Sequence, residues 1–103
     1  MRGHYSLRME LSSSVVSEGE SVSVACEIHN KLNNTHTFVF VKKVDVGDYV
    51  KIASNNVVEE LFQSTGRYLI DHKRNDTSRV KRDRYTLRIS SSSRTQSIRC
   101  NIQ

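Results

Sequence analysis

Val22, Val24, Cys26 and Ile28 alternate with Ser21, Ser23, Ala25 and Glu27. A period of two predicts a strand that buries the first set and turns the second outward, with Gly19 in a turn before it. The same alternation returns twice near the C-terminus. Over Arg84–Ser90, Tyr85, Leu87 and Ile89 share one face and Arg84, Thr86 and Arg88 the other. Over Ser97–Ile102, Ile98, Cys100 and Ile102 point one way. Leu7–Leu11 also alternates. Ser12–Ser14 interrupts it before Val15-Val16, which predicts a strand that breaks and resumes. Thr37–Val44 differs, because Phe38 and Phe40 on one face oppose Val39 and Val41 on the other. Apolar residues on both sides predict a central strand. Asp45–Asp48 signals a turn, and Tyr49–Ala53 a returning strand, so the two form a hairpin.

The rest of the chain is less regular. In Asn55–Gln63, Val57, Val58, Leu61 and Phe62 have helical spacing, but the segment is short enough to be a ragged edge strand. Arg67–Asp71 is a strand candidate. His29–His36, His72–Arg82 and the serine run Ser90–Ser93 read as polar connections. No internal repeat, heptad or long helical pattern interrupts the series. Roughly six to eight short strands predict an all-β sandwich or barrel. At 103 residues the chain is one domain, 1–103, with residues 1–5 set aside as a tag or a disordered N-terminus.

Composition narrows the picture slightly. Hydrophobic residues make up 36% and there is no Trp, so the core is thin. No apolar run approaches the ~18–20 residues that span a bilayer, and no membrane insertion is expected from this segment. The N-terminal residues lack the apolar stretch of a secretion signal. The net charge of +5 permits attraction to polyanions without identifying one.

The chain has two cysteines, Cys26 and Cys100, and neither has a second Cys or a His at metal-ligand spacing. A structural disulfide, two unrelated buried thiols and a reactive thiol all remain open on that evidence. The pattern Gly19-x-x-Val22-x-Val24-x-Cys26 resembles the second strand of the immunoglobulin superfamily. Tyr85-x-Leu87-x-Ile89, followed by Cys100, resembles its strands E and F. The family's strand-C Trp is absent; Phe40, with Phe38 close behind, takes its place. Ile98 stands where a Tyr is usual two residues before the second Cys.

The resemblance implies an immunoglobulin-like two-sheet antiparallel sandwich, divergent and variable-like. Its core would hold Val22, Val24, Ile28, Phe38, Phe40, Leu87, Ile89 and Ile98, crossed by a Cys26–Cys100 disulfide. Such a bridge, closing ~75 residues, stabilises by roughly 4 kcal/mol in the chain-entropy model. It implies an oxidising, extracellular setting, secreted or at the cell surface. With only Asn101-Ile102-Gln103 after Cys100, the domain is expected to be truncated before its last strand, or to have the N-terminal strand covering that gap. The ending Gln96–Gln103, together with the missing Trp, is similar to the immunoglobulin-like domains of molluscan fibrinogen-related defence lectins.

Chemistry is sparse. His4, His29, His36 and His72 fall in predicted connections, and Gly3, Gly19, Gly47 and Gly66 are isolated. The pattern therefore predicts no enzyme, catalytic set, cofactor or metal. Asn33-Asn34-Thr35 and Asn75-Asp76-Thr77 are acceptor sequons at Asn33 and Asn75, although a chain rich in Asn, Ser and Thr yields such triplets by chance. The densest feature is a basic run: Lys73, Arg74, Arg79, Lys81, Arg82, Arg84 and Arg88, against Asp76 and Asp83. It fits either a docking patch for an acidic partner or a solvated loop that keeps a sheet edge soluble. No reading helix or stacking aromatic stripe accompanies it, so no specific nucleic-acid partner is expected.

The expected function is an extracellular recognition or adhesion module that binds a protein or glycan, in innate immune defence or at a cell surface. The His29–His36 loop, the Asp45–Asp48 turn and the outward hairpin residues Val39, Val41, Lys43 and Tyr49 are its candidate surfaces. The alternatives are a structural spacer beside other domains of a longer chain, and polyanion (sulfated glycan) binding through the basic run.

Overall fold

The computed structural model describes residues 6–10, 15–32, 34–43, 46–76 and 79–102, with backbone alone at 6–10, 38, 40–43 and 46. The strands in chain order are β1 (Ser6–Glu10), β2 (Val15–Val16), β3 (Val22–His29), β4 (Thr37–Lys43), β5 (Val46–Ser54), β6 (Val57–Val58), β7 (Tyr68–Asp76), β8 (Lys81–Ile89) and β9 (Gln96–Ile102). One short helix, α1 (Glu60–Gln63), lies between β6 and β7. The strands form an antiparallel sandwich. One sheet has the order β1-β3-β8-β7 and the other β2-β9-β4-β5-β6. The broken N-terminal strand therefore serves both sheets: β1 pairs with β3, and β2 pairs with the edge of β9 at Ser97 and Gln96.

The alternating strands face as their sequences predict. Val24, Cys26 and Ile28 of β3, Leu87 and Ile89 of β8 and Ile98 of β9 are buried, with Val22 packed at the margin. The disulfide joins Cys26 to Cys100 across the sheets, with their Cα atoms 6.5 Å apart. Tyr85 is registered beside Cys26 and supplies a large, fully buried ring there.

The central strand β4 corrects one expectation. Its buried positions are Thr37 and Val39, and Val39 (2% exposed) is registered opposite Cys100. Val39 is thus a core residue and not part of an outer binding surface. A strand apolar on both faces offers no polarity difference to set its phase, so the pairing with β9 sets it. The side chains of Phe38, Phe40, Val41 and Lys43 lie outside the described residues.

The returning strand also begins earlier than predicted. Lys43 is already registered with Val46, so Val46, Gly47 and Asp48 belong to β5; Val44 and Asp45 lie outside the described residues. Two register shifts give β5 extra residues relative to β4. At the first, consecutive Ile52 and Ala53 both enter the core, as a bulge permits. The second includes Gly47, whose φ of +70° is costly for a side-chain-bearing residue.

The ambiguous Asn55–Gln63 segment contains both predicted alternatives. Asn55 (φ +52°) makes the turn, β6 adds the edge strand, and Glu60–Gln63 forms a single helical turn. Thr65 and Gly66 complete the exit, with Gly66 at φ +67°.

The largest difference lies in His72–Arg82, predicted as a loop. β7 continues to Asp76 and β8 begins at Lys81, so most of this segment is a regular hairpin. Its ladder runs from Tyr68↔Ile89 to Asp76↔Lys81. Beyond the apolar core the backbone still pairs, because ladder hydrogen bonds do not depend on apolar side chains.

Candidate functional site

The hairpin sorts the basic run by parity. On β8, Asp83, Tyr85, Leu87 and Ile89 face inward, so Arg82, Arg84, Thr86 and Arg88 take the outer face. On β7, buried Tyr68 sets the inner parity, and Leu69, Asp71, Lys73 and Asn75 take the outer positions. The ladder aligns Lys73 with Arg84, Asn75 with Arg82 and Leu69 with Arg88. Four of the seven predicted basic residues, Lys73, Arg82, Arg84 and Arg88, therefore share one open face.

The other three do not join them. Arg79 is exposed in the connection between the strands, and Lys81 follows the parity of Asp83 and Tyr85. Arg74 also has inner parity. Its Nε donates to the Asp76 carboxylate at 3.1 Å. That hydrogen bond and the charges of Asp76 and Asp83 push the Arg74 guanidinium up from its ordinary range, so it remains a cation.

On the outer face, β3 contributes Glu27 and His29, whose Nε2 and Oε2 atoms lie 2.7 Å apart. Glu27 also lies 3.7 Å from Arg84 Nη1. Lys73, directly across from Arg84, has no ionic partner among the described residues. Like charges directly opposite one another destabilise a sheet. Arg82 adds a second cost, since its Nε is enclosed without a hydrogen-bond acceptor among the described residues. Beside Arg88, a shallow hollow of about 300 Å³ is lined by Leu69, Ile70, Asp71, Thr86 and Arg88.

A polar cluster that the sequence reading missed lies beneath this face, at the end of the inner one. Asp83 is buried (4% exposed) and its Oδ1 lies 2.8 Å from His72 Nε2. The His72 ring stacks on Tyr85, with centroids 4.4 Å apart and planes within 7°. Lys31 donates to the Tyr85 hydroxyl at 2.8 Å, and its Nζ lies 5.4 Å from the ring centroid. Extending the Tyr85-Leu87-Ile89 alternation back by one step reaches Asp83, which was the available signal. Asp83 is thus engaged by His72 on the inner side and does not face the outer cations.

Parts of the other candidate surfaces are internally engaged, while Asp45 and the side chains of Val41 and Lys43 lie outside the described residues. In the His29–His36 loop, Asn30 N–H donates to the Lys81 carbonyl, Thr35 is buried, and His36 Nδ1 lies 3.0 Å from Asn55 Nδ2. Tyr49 lies under the Arg99 guanidinium at 4.7 Å, and Lys51 faces Glu59 at 3.4 Å. Of the sequons, Asn75 sits in β7 and not in a loop, while Asn33 lies outside the described residues. Among the described residues, no group of three metal-ligating side chains gathers, and no helix is long and apolar enough to cross a membrane.

Comparison of the chain with protein-family models, curated proteins and solved structures returned no match.

Proposed function

We propose that this chain is an extracellular recognition module of immunoglobulin-like architecture that binds a sulfated glycan through the outer face of the β1-β3-β8-β7 sheet. The carrying observation is the alignment of Lys73, Arg82, Arg84 and Arg88 on one open face, with Lys73 directly opposite Arg84. Such an arrangement costs the isolated domain stability, and a bound polyanion offsets that cost. On adjacent strands ~4.8 Å apart, with same-face residues ~7 Å apart along each strand, the cations form a flat array suited to a linear chain of sulfates.

Two further features support the setting. The disulfide Cys26–Cys100 fits an oxidising compartment. The strand orders β1-β3-β8-β7 and β2-β9-β4-β5-β6 resemble the A-B-E-D and G-F-C-C′-C″ arrangement of variable-type immunoglobulin domains, with β2 standing where the last strand would be. Adhesion and immune defence are both roles that such a module serves.

Retention on immobilised heparin in a salt gradient tests the proposal. The chain is expected to elute well above the salt that releases a neutral domain, and Arg84→Ser/Arg88→Ser to elute much earlier. Arg99→Ser, on the opposite sheet, is the control and keeps most of the retention. Equal loss from both variants would mean that net charge and not this face is responsible. Absence of retention would leave an acidic protein partner or a structural spacer.

A further inference from the structure

β7 is an edge strand of nine residues, and on the side away from β8 no described strand pairs with it. Asp71 to Asp76 are all exposed. Long open edges invite pairing with another chain, and charged side chains ordinarily prevent it. Here the charges have opposite signs at alternate positions. Asp71 and Lys73 share the outer face, and neither has an ionic partner among the described residues.

A strand with that pattern complements itself in one antiparallel register. A two-fold axis normal to the sheet keeps outer positions opposite outer positions, so the axis must pass through a pair of identical residues. Centred on Lys73 it would oppose two lysines; centred on Asp71, two aspartates. Centred on His72, it places Asp71 of each chain opposite Lys73 of the other, giving two ion pairs.

We propose that β7 pairs antiparallel with β7 of a second copy in the His72-centred register, joining two four-stranded sheets into one. Lys73, which has Arg84 on one flank, gains a carboxylate on the other. The partner strand's Arg74–Asp76 end runs beside Tyr68–Ile70. There a groove of about 360 Å³ opens between β6 and β7, lined by Val57, Val58 and Leu69 among others. Val57 (59% exposed) and Leu69 (64%) are the apolar side chains that end would cover. The inference stands apart from glycan binding, although a joined sheet presents Arg82, Arg84 and Arg88 of both copies on one face.

Sedimentation equilibrium of the intact, disulfide-bonded chain over a concentration series provides the test. The apparent mass should rise from monomer toward twice that value. Asp71→Lys and Lys73→Asp should each weaken association by roughly tenfold or more, because two attractive cross-strand pairs become repulsive. The exchange Asp71→Lys/Lys73→Asp keeps the net charge and should restore it. A monomer at millimolar concentration, association indifferent to the single reversals, or an exchange no better than either reversal would each overturn the proposal. Heparin retention is read separately on Arg84→Ser/Arg88→Ser, which leaves Asp71 and Lys73 in place, so either idea can fail alone.

Discussion

The two faces of β8 share one backbone and one hydrogen-bond ladder but have opposite chemistry. Inward, Tyr85, Leu87 and Ile89 are almost wholly excluded from water beside the disulfide. Outward, Arg82, Arg84 and Arg88 stand in a row, with Lys73 across from Arg84. Burial on the first face stabilises the sandwich, whereas charge opposition on the second works against it. A substitution should therefore act differently on the two faces. Inner changes should lower stability, and outer changes should alter association at nearly constant stability.

The largest effect is expected from removing the covalent link that closes the inner face. Cys26→Ala/Cys100→Ala should lower stability by about 4 kcal/mol in the chain-entropy model, read from chemical denaturation. Leu87→Ala should cost about 3 kcal/mol through lost burial and the cavity left behind, seen as a lower urea midpoint. Tyr85→Phe keeps the ring on His72 but removes the hydroxyl that accepts from Lys31, and should cost about 1 kcal/mol in the same assay. The smallest stability effect belongs to the outer face. Arg84→Ser should change stability by less than about 0.5 kcal/mol while lowering the salt needed to elute the chain from heparin. A large stability loss from Arg84→Ser, or a near-neutral Leu87→Ala, would erase the distinction between the faces.

The inner faces of β3, β8 and β9 were legible because each strand sets apolar residues against polar ones. Cys26, Cys100, Leu87, Ile89 and Ile98 follow directly from that phase. Two features resisted the same treatment. In β4, residues on both faces are apolar, so the pattern sets Val39 outward although it is registered opposite Cys100 in the core. In His72–Arg82, residues on both faces are polar, and a hairpin continuing to Asp76 and Lys81 reads as a loop. The basic run was visible as composition. That four of its members share a face while Arg74 and Lys81 do not depended on that hairpin.

The amino-acid pattern alone settled the all-β class, the inward phase of the amphipathic strands and the placement of both cysteines on inward-facing positions. Each is a local property, fixed by contrast between neighbouring side chains along one strand. Folding decided which strands are neighbours: β1 in one sheet and β2 in the other, Val39 beside Cys100, Lys73 beside Arg84, and β7 at an open edge. Those choices are made by backbone groups seeking partners far apart in the chain, and side-chain polarity carries no record of them where both faces of a strand are alike.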